Sequence, residues 1–188
     1  MKITLLRHGQ PDFKLAGYAK AADLASMASA YDRAGIADSP PPEVIQAVSD
    51  HQRICCSDLR RATESAQALG FSVSQVQTSR LFRETAIPHF DRGAVYLPVS
   101  VWLVLLRAFW FAGFSKNGES FQAMKLRASA ASDRLMVLAS EYQNVLLVGH
   151  GFLNRYIAVN LLQAGWSGPR AINQKYWSYA SYEYLPAR

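Results

Sequence analysis

Three short β-rich runs, Ile3 to Leu6, Arg53 to Cys56 and Val145 to Val148, each give way to polar or glycine residues and then to a helical pattern. Unbroken runs of this kind read as parallel strands buried on both faces. The clearest helix starts near Glu119 and sets Phe121, Met124, Ala128, Ala131, Leu135, Leu138 and Tyr142 at alternating steps of three and four, one apolar stripe facing a core. Further helices are expected over 17–35, 41–50, 58–69, 99–114 and 152–164. Ser39 to Pro42, Lys116 to Gly118 and Ser167 to Pro169 mark loops. Strands alternating with helices predict a layered α/β fold around a mostly parallel sheet, as a single domain over residues 1–188.

Composition narrows the function classes. Half the residues are apolar and 18% are charged, which suits a globular chain. Lys and Arg number 20 against 14 Asp and Glu, a net charge of +6 that favours anionic ligands such as a small phosphorylated substrate. The basic residues are scattered and no base-reading pattern accompanies them, so no nucleic-acid partner is expected. The cysteines, Cys55 and Cys56, are adjacent in an apolar run and suggest neither a disulfide framework nor a zinc site. Arg7-His8 interrupts the N-terminal apolar run too early for a signal peptide, so a cytoplasmic location is expected. The stretch 97–114 is apolar except for Ser100 and Arg107. It is near the minimum length for spanning and carries an internal charge, so no transmembrane segment is expected, but rather a wall of the active site or the face of a homodimer.

In a parallel sheet, ligands bind beyond the carboxyl ends of the strands. The first strand ends at Arg7-His8-Gly9 and the Val145 strand at Gly149-His150-Gly151. The Arg53 strand ends at Ser57, ahead of a helix carrying Arg60 and Arg61. Two imidazoles and at least two guanidiniums at one edge suit a phosphoryl dianion, since arginine presents a planar fork of donors to its oxygens. His51 and His89 have no such context and read as surface or loop residues. Ser57 reads as a helix cap and Glu119-Ser120 as a helix start, while Arg60 and Arg61 compete for one phosphate contact, the other being a solvated helix residue or a secondary contact.

Leu-Leu-Arg-His-Gly at 5–9, Cys-Ser-Asp-Leu-Arg-Arg-Ala-Thr-Glu-Ser-Ala at 56–66, Gly-Glu-Ser at 118–120 with Arg127, and Val-Gly-His-Gly at 148–151 resemble the histidine phosphatase superfamily, which includes the phosphoglycerate-mutase-like enzymes. The resemblance implies a three-layer α/β/α sandwich with a cap-like insertion around 85–118. It also implies a phosphatase that forms a phosphohistidine on His8, with no cofactor and no metal. Arg7, Arg61 and His150 would then surround the phosphoryl group, joined by the backbone at Gly151. Glu84 in Leu-Phe-Arg-Glu is the implied proton donor, with Asp91 in reserve and an ion pair with Arg83 as the structural alternative. Two departures stand out: Gln10-Pro11-Asp12 follows the Arg-His-Gly, and no Asn occurs before Asn117, so Gln10 is the candidate replacement for that phosphate contact. A mutase, and a non-catalytic phosphate-binding scaffold, are the alternative functions.

Overall fold

The computed structural model describes residues 1–90 and 92–185. Its strands are β1 (Lys2–Arg7), β2 (Tyr18–Lys20), β3 (Arg53–Ser57), β4 (Val76–Ser79), β5 (Tyr96–Pro98), β6 (Asn144–Gly149) and β7 (Tyr179–Glu183). Its α-helices are α1 (Leu24–Arg33), α2 (Pro42–Val48), α3 (Arg60–Ala68), α4 (Val99–Phe111), α5 (Phe121–Tyr142) and α6 (Gly151–Gln163). The main sheet runs β4-β3-β6-β1-β7, parallel except for β7, which pairs antiparallel with β1 at the edge.

The strand pattern shows how a three-layer sandwich arises. Ile3, Leu5, Cys55, Val145 and Leu147 face one side of the sheet, where they pack with Met124, Ala128, Ala131 and Leu135 of α5 and Leu153, Ile157 and Leu161 of α6. The alternate residues Leu6, Ile54, Cys56, Leu146 and Val148 face the other side, against Val44 and Val48 of α2 and Ala62 and Ala66 of α3. A side-chain period of two with helices on both faces leaves nearly every position apolar, Thr4 of β1 being a buried polar exception, hence the short apolar runs. The stripe on α5 is buried from Met124 to Leu138 as its spacing predicts, and its alanines let α6 approach closely. Both cysteines are free and buried in this core.

A third apolar cluster lies apart from the sandwich. Here β2 and β5 form a two-stranded antiparallel sheet, and Leu24, Val99, Trp102 and Leu106 join α1 and α4 beneath it. The indole N–H of Trp102 donates to the Ala19 carbonyl at 3.0 Å and ties α4 to β2. The 17–35 stretch is therefore not one helix as its alanine content predicts. Gly17 has φ 83°, β2 follows it, and the α-helix begins only at Leu24, because pairing with β5 overrides local propensity. The strands β2, β4, β5 and β7 had no counterpart in the sequence reading. No helix among the described residues is long and apolar enough to cross a membrane.

Candidate active site

Because β6 lies between β3 and β1, three carboxyl ends stand side by side, with Arg7 opposite Gly149 and Cys56 opposite Val148. The His8 amide donates to the Gly149 carbonyl at 3.1 Å. The rings of His8 and His150 meet edge to face, with centroids 4.9 Å apart. Around this edge the backbone is tightly packed. A Cβ on Gly9 would meet Asp38 Oδ1 at 2.7 Å and run into the Trp177 ring; one on Gly151 would meet Gln174 Oε1 at 2.5 Å. The rigid Trp177 ring leaves room only for glycine after His8, while at Gly151 the Gln174 side chain would have to move.

The protonation of His8 follows from its partners. Nδ1 lies 2.7 Å from the Gly9 carbonyl oxygen, which can only accept, so Nδ1 carries the hydrogen and Nε2 keeps its lone pair. Burial pushes the His8 pKa down to about 3; the Gly9 bond opposes this, and Arg61 and Arg7 add to it. His150 is also held well below its ordinary value, first by burial and then by the neighbouring His8, Arg61, Arg7 and Arg127. Both rings are thus neutral near pH 7, and Nε2 of His8 is unprotonated.

Two arginines flank the pair. Arg7 donates through Nη1 to the Gln174 carbonyl and lies 4.3 Å from the centre of the Tyr176 ring, which itself packs against His8 at 5.7 Å. Arg61, only 1% exposed, donates through Nη1 to the Tyr31 carbonyl at 3.0 Å, and its guanidinium lies 4.5 Å from the Tyr31 ring centre. Asp32 Oδ1, at 3.4 Å, is its nearest carboxylate. Among the described residues, four polar atoms gathered here are buried without a hydrogen-bond partner: Nε of Arg7, Nε of Arg61, and both ring nitrogens of His150. Leaving such groups unpaired costs about 1–3 kcal/mol each, so an anion able to accept from several of them at once would be strongly favoured.

Glu84 reaches the same corner from the other side. Its carboxylate accepts from the backbone N–H groups of Phe152 (3.0 Å) and Leu153 (3.2 Å) in the first turn of α6, directly after His150, and from Thr85 at 2.9 Å. The helix dipole favours an acid there. Arg127 on α5 fixes the segment leading to it: Nη1 donates to the carbonyls of Leu81 (3.0 Å) and Arg83 (2.7 Å), while Nε and Nη2 grip the Glu119 carboxylate. Arg83 turns away and makes a two-pronged bond with Asp58, at 2.5 and 2.8 Å. From Arg61 and Glu84 a cavity of 970 Å³ extends outward between α1, the loop after Glu84, and α4. No group of three or more His, Cys, Asp or Glu that could hold a metal ion occurs among the described residues.

A family model, histidine phosphatase superfamily (branch 1), matches residues 3–188. The chain belongs to the histidine phosphatase superfamily. Among solved structures, a mycobacterial glucosyl-3-phosphoglycerate phosphatase aligns with a TM-score of 0.61 at 20% identity, over 96% of this chain and 88% of that one. The product of open reading frame Rv3214 of Mycobacterium tuberculosis gives 0.60 at 18%, over 98% and 92%. Mycobacterial hydrolase 2 gives 0.62 at 20%, over 99% and 84%. At these identities the likeness is one of fold. No curated protein matches the chain.

In this member of the histidine phosphatase superfamily, the residues singled out in the sequence divide by placement. His8, His150, Arg7, Arg61 and Glu84 are brought to one corner, with Gly151 as the first residue of α6. Gln10 is exposed just past His8, with its backbone N–H on Asp38 Oδ1 at 2.7 Å. Asp91 lies outside the described residues. The first-turn amides of Phe152 and Leu153, which otherwise offer themselves to an anion, are taken by Glu84. The ion pair considered between Glu84 and Arg83 is absent among the described residues, since Arg83 binds Asp58. Arg60 is exposed and pairs with Glu64 at 2.7 Å. Ser57 accepts from the Leu59 N–H, and Ser120 caps α5 by accepting from the Ala123 N–H.

His51 is corrected: it is buried rather than on the surface. Its Nδ1–H donates to the Val48 carbonyl, and its Nε2 lies 2.8 Å from the Thr4 hydroxyl inside the α2 face. Neighbours that were not read from the sequence are Tyr31, Ser65, Gln174, Tyr176 and Trp177. Ser65 accepts from the Gly9 N–H and donates to the Arg61 carbonyl, linking the loop after β1 to α3. The Ser in 56–66 was its only local signal. Trp177 sits at φ 60°, a left-handed conformation that costs a bulky residue about 1–2 kcal/mol and is held by the packing beneath Gly9.

Proposed function

We propose that this protein is a metal-independent phosphatase that hydrolyses a phosphate monoester through a phosphohistidine on His8. The observation that carries the reading is the conjunction of an unprotonated His8 Nε2 with the unpartnered buried donors of Arg7, Arg61 and His150. His8 Nε2 attacks phosphorus, the bond from phosphorus to the alcohol oxygen breaks, and Glu84 gives that oxygen a proton. The ring then carries both the phosphoryl group and the Nδ1 hydrogen. The Gly9 carbonyl, already bonded to Nδ1–H, steadies the positive charge that this creates. Water next attacks phosphorus and gives a proton to the Glu84 carboxylate, the N–P bond breaks, and inorganic phosphate leaves with His8 neutral again. The guanidiniums, with the backbone at Gly151 and the side chain of Gln10 as further candidate contacts, stabilise charge on the phosphoryl oxygens throughout.

The test is hydrolysis of p-nitrophenyl phosphate in EDTA by wild type and His8→Ala, with the covalent intermediate trapped in base, where phosphohistidine persists. Turnover that disappears in His8→Ala, together with a base-stable, acid-labile phosphoprotein in wild type, is expected. Unchanged turnover in His8→Ala sinks the mechanism. Release of inorganic phosphate separates the enzyme from a mutase, which would return the group to its product.

A further inference from the structure

The 970 Å³ cavity that opens from Arg61 and Glu84 is lined by both charged and aliphatic side chains. At the end next to the phosphoryl corner its walls carry Arg61, Glu84 and Arg107. Arg107 is held between the rings of Trp110 (4.8 Å) and Phe152 (4.4 Å), with Nη1 buried and unpartnered among the described residues. Leu24 and Met27 from α1, Ile87 from the loop, and Val99, Leu103 and Leu106 from α4 supply a mostly apolar wall, while Asp32, Arg33, Asp58, Arg60 and Arg83 add charged groups elsewhere on the lining. A substrate placing its phosphoryl group at His8 and its ester oxygen by Glu84 therefore directs its alcohol along these side chains.

The geometry points to a phosphate monoester of a bulky, mostly apolar alcohol as the substrate class. This rests on the phosphatase reading above and narrows it. The volume is that of a site for a drug-sized ligand and far exceeds a phosphoryl group with a three-carbon polyol. Hydroxyls carried into the aliphatic part would lose water without finding partners, a penalty that a sugar phosphate meets at several positions. Methylenes meet the reverse, and each one buried is expected to improve kcat/KM about four-fold, the equivalent of ~0.8 kcal/mol.

The experiment is phosphate release by wild type from ethyl, butyl, hexyl and octyl phosphate, with 1-naphthyl phosphate as the aromatic arm and glycerol 3-phosphate and glucose 6-phosphate as polar controls. In parallel, the matching alkyl phosphonates, which cannot be hydrolysed, are titrated into His8→Ala. Expected are a kcat/KM that climbs at least tenfold from butyl to octyl, phosphonate affinity that climbs with it, and a shallower slope in Leu103→Ser. Octyl ahead of naphthyl marks an aliphatic alcohol, and the reverse order an aromatic one. A flat series, or polar controls ahead of octyl phosphate, overturns the inference and leaves the phosphatase reading standing. Were no ester hydrolysed at all, the phosphatase reading would fall instead, and the phosphonate series would still decide what the cavity accepts.

Discussion

Burying an imidazole in its neutral form makes folding sensitive to acid, and His8 gives the effect a size. In the unfolded chain it titrates near its ordinary 6.5, and in the folded protein near 3. Between those values the unfolded state binds a proton that the folded state refuses, so stability falls as pH falls below 6.5 and the loss stops near pH 3. At 1.36 kcal/mol per pH unit the full loss from this one side chain approaches ~5 kcal/mol. Between pH 7 and 5, where only the unfolded chain titrates, it is about 2 kcal/mol. His8→Asn removes the titrating group while keeping an N–H for the Gly9 carbonyl. Urea unfolding of both proteins at pH 7.0 and 5.0 is expected to show wild type losing about 2 kcal/mol more than the variant, roughly 1 M in midpoint for a typical urea slope. His150 stays in both proteins, and its burial, the largest cause of its lowered value, is kept in the variant, so most of its contribution cancels in the difference. Wild type and variant losing the same stability over that interval would refute a neutral, buried His8, and with it the unprotonated nucleophile.

Glu84→Gln is expected to slow alkyl phosphates by 10²–10⁴, because an alkoxide needs a proton in order to leave. With p-nitrophenyl phosphate, whose leaving group is stable as an anion, the first turnover should survive as a burst before slow dephosphorylation. Equal losses in first turnover for both substrates would remove Glu84 as the proton donor. Arg127→Met removes two bonds to the segment ahead of Glu84 and two to the Glu119 carboxylate, which is 21% exposed and is left stranded. A loss of about 2–4 kcal/mol in urea unfolding, with kcat falling alongside, is expected. An unchanged midpoint would mean that this clamp contributes nothing net.

The elements that could be read from the sequence are those whose signal is local. Strands β1, β3 and β6 are buried on both faces, so each appears as a short, mostly apolar run, and the rule that ligands collect at carboxyl ends then groups His8 and His150 with Arg60 or Arg61, between which the motif resemblance chooses Arg61. Glu84 was reached differently, through a motif resemblance. Its actual anchor, two amides of α6, lies 68 and 69 residues away in sequence.

What escaped the sequence depends on pairing at a distance. The last strand, β7, alternates Tyr179, Ser181 and Glu183 with buried Ala180 and Tyr182, a weak edge-strand pattern, yet its antiparallel register on β1 carries Gln174, Tyr176 and Trp177 over the phosphoryl corner. Gln174 meets Arg7 across 167 residues. His51 was misread for the same reason, since a histidine between two loop-like residues has no local reason to be buried, whereas Thr4, 47 residues earlier, supplies the hydroxyl that makes burial tolerable. Tyr31 lies in the stretch whose alanines suggested one continuous helix, and only the pairing of β2 with β5 moves the helix start to Leu24 and sets that ring against Arg61. The two histidines proposed for phosphoryl chemistry thus sit at strand ends and could be read from local pattern. The parts that shape access to them, Tyr31, Tyr176 and the apolar walls of α1 and α4, come from long-range packing, so substrate selectivity had to be sought in the structure.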